Sequence, residues 1–270
     1  MLHTERNDIP LTELNGATPL VPRPIPDCFI LCGGLGTRLR PTLGDVPKPL
    51  APVAGVPFLE RLVRELVFAG CPRIILGTGF GSDKIRRWAE SSEEIGARVH
   101  ISEEEKPKGT AGALRNALDL LRGDTVLALN GDSFVPGLSL TDFMAQHAEN
   151  GCPTSLVVVP ANERDDAGSV VVNQHGRVLH FAEKEKRPDA RYVSAGIYLL
   201  NRDLIALLPD DRPVSMEYDA LPSWLSSGIY AYRSQGTLFD IGTPARLAHA
   251  QTAEALTQLG MRRPADISHP

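Results

Sequence analysis

The feature that most constrains the fold is a repeated order of strand, loop and helix between residues 27 and 132. The first strand is the short apolar run Cys28–Cys32, which stops at glycines and is typical of a buried strand. Further strands are predicted at 73–78, 98–102 and 124–129, and helices at 58–69, 82–91 and 110–121. This alternation predicts a parallel sheet with helices on both faces, in which ligands bind at the carboxyl ends of the strands.

The pattern changes after residue 132 to a mixture of strands with short links and later helices. Strands are predicted at 154–159, 169–172, 178–182 and 192–200, and helices near 202–208, 217–227 and 244–258. We expect an extension at 1–26, an ordered region at 27–259 and a tail at 260–270. The ordered region either divides near residue 135 into halves 27–135 and 136–259 or forms one continuous domain with a mixed sheet.

Composition excludes several classes of protein. The net charge of −5 argues against a broadly basic nucleic-acid face. Four cysteines without a CxxC pair favour reduced thiols over a zinc site or a disulfide scaffold. No apolar run reaches the length of a membrane span, and the N-terminus has no signal-peptide core, so we expect a cytoplasmic protein with no membrane partner.

The loop after the first strand has the composition of a phosphate-binding loop. Glycines in Gly33–Arg40 let backbone N–H groups approach phosphate oxygens, and Arg38, Arg40 and the downstream Lys48 add positive charge. A dinucleotide-binding fingerprint fails because Leu39 occupies the position of its third glycine, and the Walker pattern does not occur. We therefore expect a phosphate site of a different type.

Two aspartates are candidate metal ligands. Asp132 follows the predicted strand 124–129, and Asp240 lies in a second short apolar run. Each alone could be a turn or cap residue. Because hard cations prefer carboxylate oxygens, the two together predict a Mg²⁺ site that bridges phosphate oxygens.

The stretch Gly33–Pro49 resembles the signature of the sugar nucleotidyltransferases, the NDP-sugar pyrophosphorylases. Further segments agree in order over residues 27–250, namely Pro107–Leu114, Leu129–Asp132, Glu183-Lys184, Ala195–Tyr198 and Phe239–Pro244. Within the family the chain most resembles guanylyltransferases of mannose-like sugar 1-phosphates, and Pro47–Glu60 is closest to those of D-glycero-D-manno-heptose 1-phosphate. The resemblance implies a Rossmann-like α/β fold with a central, mostly parallel mixed sheet, a nucleotide-binding first half and a smaller sugar-binding lobe.

The resemblance also implies a reaction and roles for individual residues. GTP and a sugar 1-phosphate, the heptose compound first and mannose 1-phosphate next, would give GDP-sugar and pyrophosphate. Arg38, Lys48 and Asp132 would be catalytic, and Asp132 and Asp240 would hold Mg²⁺. The nucleotide would contact Leu31, Gly33, Gly34, Gly36, Thr37, Glu104, Gly109 and Gly112. The sugar 1-phosphate would contact Asn130, Glu183, Lys184 and Gly196.

Some features leave alternatives open. Glu104 or Glu105 could accept from the N1–H and N2–H₂ groups of guanine, or the acidic run could be exposed turn charge. Glu185 replaces the proline that usually follows Glu183-Lys184, and Asp166–Ser169 replaces an Arg-Tyr-Gly pattern, so the sugar contacts could differ. Uridylyl or thymidylyl transfer and a non-catalytic sugar-nucleotide sensor are the rival functions, and a homodimer is possible.

Overall fold

The computed structural model describes residues 24–161, 168–185 and 187–258. Most of the predicted extension at 1–26 and all of the predicted tail at 260–270 lie outside these ranges. Asp166, one of the residues that departs from the family pattern, also lies outside them.

The described residues form strands and helices in alternation. The strands are β1 (Cys28–Leu31), β2 (Pro52–Val53), β3 (Val56–Pro57), β4 (Ile74–Thr78), β5 (Val99–Glu103), β6 (Thr125–Asn130), β7 (Ser133–Phe134), β8 (Thr154–Pro160), β9 (Ser169–Val172), β10 (Val178–Ala182), β11 (Tyr192–Asn201), β12 (Ile229–Arg233) and β13 (Phe239–Asp240). The helices are α1 (Arg40–Leu43), α2 (Phe58–Phe68), α3 (Ser82–Glu90), α4 (Glu93–Gly96), α5 (Thr110–Asn116), α6 (Leu140–Asn150), α7 (Arg202–Ala206), α8 (Leu221–Trp224), α9 (Pro244–Ala250) and α10 (Ala253–Gln258). Short 3₁₀ turns cover Lys48–Leu50 and Leu118–Leu120, and a π-helical turn covers Met216–Ala220.

One large mixed sheet organises the described part of the chain. Its strand order is β10-β9-β11-β6-β1-β4-β5, and β8 pairs with β11 and β12. The strands β6, β1, β4 and β5 are parallel, whereas β11 runs antiparallel to β6. This architecture confirms the predicted α/β class. The boundary near residue 135 stays a prediction. In the structure, β11 of the second half pairs directly with β6 of the first.

The apolar run of β1 is buried because the sheet is covered on both faces. Successive side chains of a strand point to opposite faces, so Cys28 and Ile30 pack into one core cluster and Phe29 into the other. The run therefore shows no alternation of apolar and polar residues in the sequence. Among the described residues, no helix is long and apolar enough to cross a membrane.

Several element boundaries differ from the predictions. The helix predicted at 110–121 ends at Asn116 and continues as a 3₁₀ turn. Ser82, predicted to cap its helix, is the first helical residue instead, and its hydroxyl lies 3.0 Å from that of Thr78. The cap position is held by Gly81 in a left-handed conformation (φ 70°).

The carboxyl ends of β1 and β6 lie side by side. Leu31 is in register with Asn130, and the Gly131 N–H donates to the Leu31 carbonyl at 3.0 Å. A Cβ at Gly131 would stand 2.5 Å from that carbonyl oxygen, so only glycine fits here. The pairing of β7 with β13 then places Asp240 opposite Ser133, next to Asp132.

Candidate active site

Two adjoining cavities open at the carboxyl ends of β1 and β6, with volumes of about 290 and 200 Å³. The first, which we call the loop cavity, is lined mainly by the Gly33 loop (residues 33–40) and Lys48. The second, the strand cavity, is lined by β11 and by residues from segments before and after it in the chain. The two cavities share a wall formed by Arg38, Asn130, Asp132, Glu217 and Gly242. Two ligands, one in each cavity, would therefore meet at this wall.

The Gly33 loop presents backbone donors to the loop cavity. Within the described part of the chain, the N–H groups from Gly33 to Arg38 donate to no backbone carbonyl. Gly36 has a positive φ of 59° and accepts the N–H groups of Leu39 and Arg40, and buried Leu39 anchors the loop to the core. Free N–H groups on such a turn suit an anion. The guanidinium of Arg40 instead lies over the Phe80 ring, with 4.9 Å between Cζ and the ring centroid.

Four charged side chains form a cluster around Gly242. Lys48 Nζ donates to Asp132 Oδ2. Asp240 Oδ1 accepts from the Gly242 N–H at 2.8 Å and from Arg246 Nη1 at 3.2 Å. A Cβ built on Gly242 would lie 2.8 Å from Asp240 Oδ1, 3.6 Å from Lys48 Nζ and 3.8 Å from Arg246 Nη1. Two lysine or arginine cations and two carboxylates thus surround one point on the shared wall.

The two carboxylates have the chemistry that Mg²⁺ requires. Asp132 and Asp240 belong to backbones joined by the Ile241 N–H, which donates to the Asp132 carbonyl at 3.0 Å. No cage of three or more His, Cys, Asp or Glu side chains occurs among the described residues. Mg²⁺ in phosphoryl-transfer sites is commonly held by one or two carboxylates together with substrate phosphates and water, so this pair fits it.

A bulge in β11 shapes the strand cavity. From Ser194 to Tyr198 the strand advances four residues while its partner β8 advances two, and bulges of this kind re-aim side chains beside functional sites. Gly196 lies in this bulge with a φ of 69°. Its Cβ, if present, would stand 2.3 Å from Asn130 Nδ2. The missing side chain at Gly196 therefore leaves room for the side chain of Asn130, a residue of the shared wall.

The predicted sugar-phosphate residues all line the strand cavity, namely Asn130, Glu183, Lys184 and Gly196. Lys184 has a φ of 55°, which is unusual for a residue with a side chain and often marks a functional position. Gly168 makes room for its neighbours here, since a Cβ on it would stand 3.0 Å from Glu183 Oε2. A residue with a strained backbone therefore lines the strand cavity.

Glu217 is a residue of the shared wall that the sequence analysis missed. Its Oε2 accepts from Thr110 Oγ1 at 2.9 Å and from Ser215 Oγ at 3.1 Å. Burial, followed by the negative charge of Glu217, raises the pKa of the nearby Tyr198 hydroxyl, which therefore stays protonated. The only sequence signal was Ser215 at a helix start, which predicts a cap rather than a site. Arg246 was missed for a similar reason, since one arginine in a helix is unremarkable.

Four of the predicted nucleotide residues do not line either cavity. Gly33 begins the loop, and a Cβ on it would stand 3.0 Å from Glu104 Oε2. Glu104 Oε1 accepts the Lys108 N–H at 2.9 Å, and burial raises the pKa of this carboxyl. Gly109 and Gly112 approach Val214 instead, since a Cβ on Gly109 would stand 2.5 Å from its carbonyl oxygen. Their contacts with a nucleotide stay predictions.

The remaining predicted residues line one of the two cavities or both. Leu31, Gly34, Gly36, Thr37 and Lys48 line the loop cavity, and Asp240 lines the strand cavity. Arg38 and Asp132 line both.

Residues 28–256 match the family described as Nucleotidyl transferase. The chain belongs to this family.

Individual relatives agree with this assignment. Mannose-1-phosphate guanylyltransferase from Mycobacterium tuberculosis is 34% identical over 221 residues, which cover 81% of this chain. Mannose-1-phosphate guanyltransferase beta-A from Xenopus laevis is 33% identical over 221 residues, which cover 80% of it. This chain spans 61% of the length of each of these two relatives.

Solved structures share the fold. HddC from Yersinia pseudotuberculosis, determined in complex with GMP-PN, has a TM-score of 0.73 and 30% identity. The match covers 84% of this chain and 98% of HddC. A putative glucose-1-phosphate thymidylyltransferase from Bacillus anthracis, at 21% identity, has a TM-score of 0.75 over 87% of this chain and 99% of its own, and supports the fold alone.

Proposed function

We propose that this chain joins GTP and a manno-configured sugar 1-phosphate to give a GDP-sugar and pyrophosphate. The observation that supports this most directly is the wall shared by the two cavities, where Arg38 and Asp132 face both. A nucleotidyl transfer needs two phosphorylated substrates in line at one phosphorus atom, and a cation at their junction to offset their repulsion. The loop cavity takes the triphosphate and the strand cavity the sugar 1-phosphate.

The chemical step needs no strong base. A sugar phosphate oxygen, already ionised near neutral pH, attacks the α-phosphorus of GTP and forms the new P–O bond. The bond from that phosphorus to the oxygen bridging the α- and β-phosphates breaks, and pyrophosphate leaves with the electron pair. Arg38 stabilises the charge on the transferring phosphate, and Lys48 and the free N–H groups of the Gly33 loop hold the leaving phosphates.

Asp132 and Asp240 would hold Mg²⁺, which when bound would offset negative charge on phosphate oxygens. Lys48 and Arg246 neutralise the two carboxylates in this structure, so they keep the cluster folded around Gly242.

Guanine as the base is supported by the relatives named as guanylyltransferases and by the HddC complex with GMP-PN. The preference for D-glycero-D-manno-heptose 1-phosphate over mannose 1-phosphate is proposed from the resemblance of Pro47–Glu60 alone. Glu104 or Glu105 remains the proposed acceptor for guanine, and Glu104 Oε1 also accepts the Lys108 N–H.

Release of pyrophosphate tests the proposal. Purified protein with Mg²⁺ should release pyrophosphate fastest from GTP when the panel pairs GTP, UTP, dTTP, CTP and ATP with heptose, mannose and glucose 1-phosphates. EDTA should abolish the release. Faster turnover of UTP or dTTP would favour the uridylyl or thymidylyl reading. Nucleotide-sugar binding without any pyrophosphate would favour the non-catalytic sensor.

A further inference from the structure

Arg246 occupies a position in the strand cavity that mirrors the position of Lys48 in the loop cavity. Lys48 lines only the loop cavity, and Arg246 lines only the strand cavity. Each donates to one of the two candidate metal carboxylates, Lys48 to Asp132 and Arg246 to Asp240. Because both cations lie within 3.8 Å of a Cβ built on Gly242, they flank the same point from opposite cavities.

We propose that Arg246 binds the phosphate group of the sugar 1-phosphate, as Lys48 binds the phosphates of the nucleotide. This inference rests on the proposed function. It assigns to the sugar side a second cation besides Lys184, at the end of the cavity that faces the shared wall.

The local fold places the Arg246 side chain for this role. Arg246 lies in the first turn of α9, where Thr243 Oγ1 accepts its backbone N–H at 3.3 Å and fixes the helix start. Its side chain is 32% exposed while that of its partner Asp240 is 9% exposed. The guanidinium is thus the accessible member of the pair, and it can reach a ligand while its carboxylate partner stays buried.

Charge balance explains why the pair can exchange partners. In this structure Asp240 Oδ1 is occupied by Arg246 and the Gly242 N–H. A divalent cation on Asp132 and Asp240 would weaken the attraction of each carboxylate for its cation and leave the guanidinium facing the strand cavity. The planar fork of arginine matches a phosphate with two parallel hydrogen bonds.

A merely structural role for Arg246, holding Asp240 in place, gives a different expectation. Loss of the arginine would then disturb the metal ligands and weaken both substrates together. A phosphate-binding role instead weakens the sugar 1-phosphate selectively. It also leaves metal binding unchanged or tighter, because a positive neighbour of the metal site has been removed.

The experiment measures binding by calorimetry in the presence of Mg²⁺, with one substrate at a time so that no turnover occurs. Mannose 1-phosphate and GTP are titrated separately into wild type, Arg246→Gln and Arg246→Lys. Arg87→Gln serves as the matched control, because Arg87 pairs with Asp83 on exposed α3 and lines neither cavity. Mn²⁺ binding is followed by electron paramagnetic resonance in the same variants, and thermal melting verifies folding.

For Arg246→Gln we expect the Kd of mannose 1-phosphate to rise about 10- to 100-fold, the range for one charge-assisted hydrogen-bonded contact. The Kd of GTP should stay within about threefold, Mn²⁺ should bind as tightly as in wild type or more so, and Arg246→Lys should recover part of the loss. A Kd for mannose 1-phosphate within twofold of wild type, or parallel losses of GTP, Mn²⁺ and mannose 1-phosphate, would overturn the role of Arg246 alone. A wild type that neither binds nor turns over any sugar 1-phosphate would overturn the proposed function as well.

Discussion

The two cavities are built in different ways. The loop cavity is formed largely by one continuous stretch, from Leu31 to Pro49, and it offers backbone N–H groups and few charges. The strand cavity gathers residues from seven separated parts of the chain, between Arg38 and Arg246, and most of its polar groups are charged. A contiguous loop suits a polyphosphate, which every nucleotide carries, whereas scattered side chains can change independently to suit different sugars.

The residues of the shared wall line both cavities, so substituting them should reduce activity more than any other change. Asp132→Asn removes a carboxylate that faces both cavities and is the partner of Lys48. We expect kcat for pyrophosphate release to fall about 10²–10³-fold, as for other groups that stabilise transition-state charge. The same fall in kcat is expected for Asp240→Asn.

Asp83→Asn is the control for Asp132→Asn, since Asp83 forms an exposed ion pair on α3 and should leave kcat unchanged. Wild-type turnover in both Asp132→Asn and Asp240→Asn would remove the two-carboxylate site from the mechanism.

Gly196 lines only the strand cavity and Gly34 only the loop cavity, and the space around the two glycines differs. A Cβ on Gly196 would stand 2.3 Å from Asn130 Nδ2 at a φ of 69°, whereas a Cβ on Gly34 would have nothing within 4 Å. Gly196→Ala should lower the free energy of unfolding by about 1–3 kcal/mol and raise KM for the sugar 1-phosphate. Gly34→Ala should leave stability nearly unchanged and alter KM for GTP alone. Urea denaturation and steady-state kinetics measure both effects, and equal destabilisation by the two variants would contradict the geometry.

The same contrast explains what could be predicted from the sequence. The Gly33 loop and Lys48 were recognisable because a strand, its glycines and its cations follow one another directly. The parallel strands β1, β4 and β6 were predicted for a similar reason, since each is a short apolar run bounded by turn residues, and β5 was predicted from the alternation of its side chains.

Glu217 and Arg246 could not be predicted because nothing local distinguishes them. Glu217 becomes part of the shared wall only when the π-helical turn at Met216–Ala220 packs against Thr110, more than a hundred positions earlier. Arg246 joins the cluster only through the pairing of β13 with β7. Helix α6 was missed because Phe143 is its only buried side chain among the described residues, so the apolar stripe is faint.

Lys184 offers a smaller and more specific test of the strand cavity. Both Lys184→Gly and Lys184→Ala remove the ammonium group and should raise KM for the sugar 1-phosphate about tenfold or more, with KM for GTP unchanged. Glycine adopts the φ of 55° without strain, so the glycine variant should be more stable than the alanine variant by about 1 kcal/mol. Thermal or urea unfolding gives this difference, and equal stability of the two variants would show that the backbone relaxes when the lysine is lost.

The smallest expected effect concerns Glu104, behind the loop cavity. Burial raises the pKa of this carboxyl, so the folded protein holds its proton more tightly than the unfolded chain does. Glu104 therefore contributes most stability at low pH, and this contribution declines as the pH rises from the ordinary glutamate value through the raised one. Glu104→Gln keeps an oxygen that can accept the Lys108 N–H but carries no titrating proton. Urea unfolding across pH 4 to 7 should show the variant gaining stability relative to wild type as pH rises, on the order of a few tenths of a kcal/mol because the group is only partly buried. A difference that does not change with pH would mean that solvent reaches the carboxylate freely.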